Sequence, residues 1–254
     1  MTFDRRTEQL FTRVTLVSGI GDPARGRFCI MSFVALIADE AHGDAPHTAS
    51  QVIRNLALPV NDAMPHQARQ RLKPFAPRIV GTNDGQDAAR AALLHRAFVE
   101  EILPRLRADA EAASSMADEA TFFERLWALP ASRRLQATTA HVLKAFEEDR
   151  GAPERGPHIG AALLGRTMVL CARGAPSGER REWYWDKAIE LLDRLCDVGA
   201  PRRPAPARTA HGSRRAEALL ATHPTVSSGG SARIGGLLAL RWINPVATSA
   251  GDEA

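Results

Sequence analysis

Asp39, Glu40, Asp44, His42 and His47 place three carboxylates and two imidazoles within nine residues, the densest metal-ligating chemistry in the chain. The chemistry such a stretch could support is a divalent cation held by His42, Asp44 and His47. Gly43 and Pro46 break any i,i+4 helical geometry between the two histidines, so the ligands would have to converge from a loop. His66, His95, His141 and His158 each stand alone in the sequence, which leaves no evident third histidine. The structural alternative is that Asp44 and Thr48 cap the next helix while the histidines occupy surface or loop positions. The spacing favours that alternative.

A second candidate chemistry is nucleophilic. Cys29 opens an apolar helical stretch, and a helix N-terminus lowers a thiol pKa. Its nearest histidines, His42 and His47, lie one helix length away, roughly 18 Å at about 1.5 Å per residue. A Cys–His couple works at about 3 Å, so the pair meets only if the chain folds back. Cys29 therefore reads first as a core residue. Cys171 falls in register with core positions as well.

The elements that would position these residues are helices. Residues 28–40 are apolar nearly all round, through Met31, Phe33, Val34, Ala35, Ile37 and Ala38, which predicts a buried central helix. Val52, Ile53, Leu56 and Val60 predict a helix over 49–63, and Pro65 stops it. A short helix over 66–72 follows, and residues 77–81 read as extended. Asn83 or Asp84 is placed to cap a long helix reaching about Arg107, with Pro104 bending or ending it. Further helices are expected over 118–128, 132–148, 158–173 and 179–198. Trp183, Tyr184 and Trp185 cluster early in the last of these and read as a core anchor. Strand signals are confined to 14–17 and 78–80. The expected fold is all-α, an irregular bundle of about seven to eight helices over residues 1–199. A flexible Pro/Arg-rich tail over 200–254 follows, with a short helix at 214–221.

The run Cys29-Ile30-Met31…Ala35…Ala38-Asp39-Glu40-Ala41-His42-Gly43-Asp44-Ala45-Pro46…Ser50…Val52-Ile53 continues into Asn61-Asp62, Leu72-Lys73-Pro74 and Pro77-Arg78-Ile79-Val80-Gly81-Thr82. In order and spacing it resembles a pattern found in uncharacterised helical proteins of GC-rich bacteria. The resemblance covers residues 20–85, implies a shared fold module and names no reaction. Ser32 stands where the pattern has Glu, and Thr48 where it often has a second Cys. The matching residues Cys29, Glu40, Asp44, Asn61, Asp62 and Arg78 suit an internal polar network. In that network Arg78 is expected to pair with Asp62 or Glu40.

The chain has 254 residues, 33 Lys+Arg against 29 Asp+Glu, a net charge of +4 and 44% hydrophobic residues. The whole excess comes from residues 200–254, where seven basic side chains face three acidic ones. Arg202, Arg203, Arg208, Arg214 and Arg215 supply most of it among Pro201, Pro204 and Pro206. Such a linker could touch phosphate backbones non-specifically, but no aromatic residues alternate with its arginines to stack on bases. No run approaches the length of a transmembrane helix, and the first thirty residues lack a signal-peptide layout. The expected setting is the bacterial cytoplasm, without membrane attachment. The leading functional expectation is a binding or scaffolding module for another protein or for itself, with the cofactor, if any, unknown. The alternatives are a metal-dependent or small-molecule enzyme sited at residues 40–47, and nucleic-acid contact through 202–215.

Overall fold

A computed structural model describes residues 5–109, 140–148, 159–175 and 177–199, with Leu219 and Ala221. The chain divides into two units, Met1–His223 and Pro224–Ala254, and all described residues belong to the first. The expected helices at 118–128, most of that at 132–148, and the arginine cluster at 202–215 lie outside the described residues.

Helix α1 (Arg5–Arg13) leads into a small sheet of β1 (Thr15–Leu16), β2 (Gly21–Asp22) and β3 (Arg27–Phe28). Strand β3 is central, parallel to β1 and antiparallel to β2. Only β1 was legible in the sequence, because β2 and β3 are the isolated pairs Gly21-Asp22 and Arg27-Phe28, too short to show alternation. The Gln70 side chain completes β1: Leu16 N–H donates to its Oε1 at 3.0 Å, and its Nε2 donates to the Leu16 carbonyl at 2.8 Å.

Helix α2 (Ile30–Ile37) follows, and every residue from Ile30 to Leu36 is buried. It is the central helix its composition predicts, shorter at both ends than 28–40. Around it lie α3 (Gln51–Ala63), α4 (His66–Gln70) and α5 (Ala76–Ile79). The expected extension over 77–81 is corrected by α5. Pro77 sits in the first turn, where a missing N–H costs nothing, and only Val80 returns to extended backbone.

Helix α6 (Asp87–Ala97) runs on through a π turn at Phe98–Ile102 and continues helically to Asp109. Leu103 N–H donates to the Phe98 carbonyl within that turn, immediately ahead of Pro104, which has no N–H to give. The proline therefore neither ends nor breaks the helix, because the wider turn absorbs the missing bond. Residues 140–148 are helical, and α7 (Ile159–Gly174) and α8 (Gly178–Asp197) complete the bundle. Tyr184 and Trp185 are buried in the core as the aromatic cluster predicts, with Trp183 packed partly buried beside them. Among the described residues no helix is long and apolar enough to cross a membrane.

Helices α3 and α7 cross closely, and glycine makes it possible. A Cβ on Gly165 would stand 2.8 Å from Pro59 Cγ and 2.9 Å from the Leu56 carbonyl oxygen. The obstruction is backbone and a rigid ring, so the helices would have to separate. Gly165→Ala should therefore destabilise the protein by about 1–3 kcal/mol despite alanine's better helix propensity. Gly174→Ala, with nothing near its added carbon, is the control. Thermal or urea unfolding of the two variants checks this.

Candidate functional site

The loop of carboxylates and histidines is first of all the end of a helix. Glu40 N–H donates to the Ala35 carbonyl at 2.8 Å, and Asp39 N–H to the Leu36 carbonyl at 3.3 Å. Asp39 adopts φ +61°, the only described non-glycine residue in the left-handed region. This is a Schellman termination with aspartate in the place glycine usually takes. The Glu40 carboxylate then turns inward along the loop, accepting the His47 N–H at 2.6 Å and the Thr48 N–H at 3.0 Å. Asp44 faces Arg54, whose Nε donates to the Asp44 carbonyl at 2.7 Å and whose Nη2 lies 3.6 Å from its carboxylate. His42 sets its ring edge-on to Phe28, with 5.8 Å between centroids. The His47 side chain is exposed, while its carbonyl accepts from Asn83 Nδ2 at 2.9 Å. Among the described residues no three of His, Cys, Asp and Glu come together in a metal-binding group.

The expected caps of α3 are displaced by two residues. Ser50, not Asp44 or Thr48, receives the Ile53 N–H on its hydroxyl at 3.2 Å. Thr48 instead ties the loop to the segment after α5: its hydroxyl accepts the Gly81 N–H at 2.6 Å and its carbonyl the Asn83 N–H at 2.9 Å. Thr82, fully buried, accepts the Ser50 N–H on its hydroxyl at 2.8 Å. Residues 47–50 and 81–83 are thus laced side by side.

Cys29 is the N-cap of α2. Its Sγ accepts the Ser32 N–H at 3.2 Å, and the Ser32 hydroxyl accepts the Cys29 N–H at 2.8 Å, a reciprocal capping box. Burial pushes the thiol pKa up, against the expected lowering, because desolvation outweighs the hydrogen bonds from the helix start. At neutral pH it is a thiol acting as a cap. Ser32 occupies the third helical position, from which its hydroxyl reaches back to the capping amide.

Asn61 joins α3 to the sheet, accepting the Ile30 N–H on Oδ1 at 3.2 Å and donating from Nδ2 to the Val17 carbonyl at 2.9 Å. Asp62 accepts the Gly19 N–H at 2.8 Å and an Asn61 amide hydrogen at 3.0 Å. Arg78 meets neither Asp62 nor Glu40. Its guanidinium pairs with Asp193 and, at 2.7 Å, with Asp197 on α8, while stacking over Phe75. The correction follows from α5: a helical turn at 76–79 aims residue 78 away from α2 and towards α8.

The strongest polar junction was not anticipated. Arg90 is fully buried and its guanidinium is saturated. Nη1 donates to the Thr82 carbonyl at 2.8 Å and to Asp84 Oδ1 at 2.6 Å, Nη2 to Asp84 Oδ2 and the Val198 carbonyl at 2.8 Å each, and Nε to the Leu195 carbonyl at 3.2 Å. Asp87 joins at 3.3 Å and is itself bonded to the Ser50 hydroxyl. Asp84, expected as an N-cap of α6, serves this guanidinium instead, and Gln86 takes the cap position without a side-chain bond. A visible signal was the place of Arg90 one turn before Leu94 on the apolar stripe, with aspartates three and six residues upstream.

A second cluster joins α6's extension to α8. Tyr184 donates to Asp109 Oδ2 at 2.8 Å, and Arg180 and Arg105 stand 3.0 and 3.3 Å from Oδ1. Burial pushes the Tyr184 phenol up and the neighbouring Cys171 thiol up to about 12, with the Asp109 charge acting in the same direction on both. Both groups keep their protons at neutral pH.

No protein-family model, curated protein or solved structure matches this chain.

Three predictions rest on this geometry. Asp39→Gly should stabilise the fold, by up to about 1 kcal/mol, since glycine enters the left-handed region without the Cβ penalty but begins from a freer unfolded chain. Asp39→Val should do the reverse, and urea midpoints separate them. The Arg90 side chain beside Asp84 holds that carboxyl below its ordinary 3.8. A depressed native value means this contribution is complete above the unfolded pKa and is lost as pH falls through the native one. Stability should therefore decline below about pH 4 less steeply in Asp84→Asn than in the parent. Arg90→Ala, removing the cation from beside Asp84 and Asp87 and this donor from three carbonyls, should cost about 3–5 kcal/mol at neutral pH.

Proposed function

We propose that this protein is a helical protein-binding module whose docking surface is the outer face of α7. One observation carries the reading: Ile159 and Leu170, 53% and 56% exposed, project from a helix whose opposite face is locked into the core. Gly165, Leu164, Met168 and Ala172 hold that inner face, with Gly165 against α3. Leu163 lies partly buried between the two exposed aliphatic residues. Arg166 and Arg173, both exposed, complete the outer stripe. Aliphatic residues interleaved with arginine on a rigid element have the composition of a protein-recognition surface.

The residue types that suggested catalysis support the same reading. Glu40, Cys29, Asn61 and Thr48 direct their polar atoms to backbone groups of the fold. Their chemistry goes into local architecture.

The test is Leu170→Asp in the full-length chain. The substitution is exposed, so the circular dichroism spectrum and melting midpoint should stay close to the parent's. Quantitative cross-linking of parent and variant at matched concentration should show a complex in the parent weakened tenfold or more in the variant, the equivalent of about 1.4 kcal/mol. Equal complex formation by the two would remove α7 as the docking face.

A further inference from the structure

We propose that the Asp84–Gly85 bond is a latent site of backbone isomerisation, held unreactive by the Arg90 guanidinium while the end of α8 stays docked. In the reaction the Gly85 amide nitrogen attacks Asp84 Cγ. An N–C bond forms, a C–O bond of the carboxylic acid breaks, and one water leaves with the amide proton. Water then reopens the five-membered succinimide at either carbonyl. One opening restores aspartate; the other routes the main chain through Cβ and Cγ and leaves isoaspartate.

The sequence offers a single favourable place for this chemistry. Asp84 is the only aspartate or asparagine in the chain followed by glycine, whose lack of a Cβ leaves the attacking nitrogen unhindered. The structure leaves that nitrogen free. Gly85 is exposed at φ +79°, and a Cβ there would meet nothing within 4 Å. Among the described residues its N–H has no hydrogen-bond acceptor. The Gln86 N–H donates to Asp84 Oδ1 at 3.1 Å, an Asx turn that folds the carboxyl back over the Gly85 peptide unit.

What the fold withholds is the electrophile, since the neutral acid closes the ring and the carboxylate does not. Asp84 Oδ1 accepts from Arg90 Nη1 at 2.6 Å and Oδ2 from Nη2 at 2.8 Å, a two-pronged pair. Asp87, 3.3 Å from Nη1, is the other charged side chain at this guanidinium. The pairing favours the ionised form of Asp84 and so lowers its share of reactive acid. The same grip fixes Cγ, which ring closure requires to move onto the Gly85 nitrogen. Helix α8 completes the lock. The Val198 and Leu195 carbonyls hold Nη2 and Nε, and Gly199 covers Oδ2. Undocking the end of α8 therefore loosens Arg90 and uncovers Asp84 together. Isoaspartate carries its carboxylate directly on Cα, too short a reach to remake the fork, so a passing opening becomes a permanent lesion.

Full-length parent, Arg90→Lys, Gly199→Ala and Gly165→Ala, incubated at neutral pH beside a free peptide of residues 80–89, test this. Peptide mapping with electron-transfer fragmentation reads isoaspartate at position 84. The parent should isomerise tenfold or more slowly than the peptide, equivalent to about 1.4 kcal/mol of barrier. Arg90→Lys keeps the charge and loses the fork. Gly199→Ala, its Cβ 2.6 Å from Oδ2, displaces the carboxylate with Arg90 intact. Each should accelerate the reaction about tenfold, and either one serves if the other does not fold. Gly165→Ala weakens a different helix crossing and should keep the parent's rate while folded. A parent reacting at the peptide's rate overturns the proposal, as does an unchanged rate in the junction variants that fold. Equal acceleration in Gly165→Ala would assign the reaction to global unfolding and overturn the role of Arg90. No isoaspartate in the free peptide would remove the site altogether.

Discussion

A guanidinium with no exposed surface organises this fold. Removing an arginine from water costs several kcal/mol, and the cost is offset only when each of its five N–H groups finds an oxygen. Arg90 finds them on Thr82 and Asp84 in the segment between α5 and α6, and on Leu195 and Val198 at the end of α8. Two parts of the chain more than a hundred residues apart are thereby fixed to one planar group. Because the group is planar and its donors diverge at set angles, the end of α8 can approach α6 in only one way. Gly199, at φ +122°, lies so close that a Cβ there would stand 2.6 Å from Asp84 Oδ2. The junction specifies geometry more than it adds net stability.

The helices were largely legible in the sequence because burial leaves a periodic trace. The stripe of Val52, Ile53, Leu56 and Val60 gave α3 to within a residue or two, and the all-round apolarity of 28–40 gave a central helix. What failed was punctuation. Residues 76–79 form a turn of helix where a proline pair suggested extension, and Cys29, a core residue as read, also caps α2 with its thiol pKa raised where a helix start suggested lowering. Local rules had no access to the tertiary contacts that decided these cases: the packing of α5 on α2 and the desolvation of the thiol. Arg90 was overlooked for a related reason. One arginine on an apolar stripe resembles an edge position until the carbonyls that receive it are seen.

The candidate site was legible in its residue types and in part in their roles. Carboxylates and histidines between two helices offered ligands while their spacing favoured capping, and the geometry shows helix termini joined by polar connections, with the capping residues differently placed. Glu40 accepts two amides that a loop would otherwise leave bare, and Thr48 and Thr82 bind neighbouring segments by hydroxyl and backbone. Helix α7 was the opposite case. Its outer side looked like ordinary register in the sequence, because exposure depends on which neighbours are present.

The side-chain amide at Gln70 has a further consequence. One edge of β1 pairs with β3, and the other would present a bare peptide unit at Leu16, able to recruit a strand from another chain. By matching that N–H and carbonyl with its own carbonyl and amino group, Gln70 imitates the next strand and closes the edge. The imitation is one residue long, so it completes the sheet without extending it. A protein whose proposed business is association through a helix thus keeps its β-edge from associating indiscriminately.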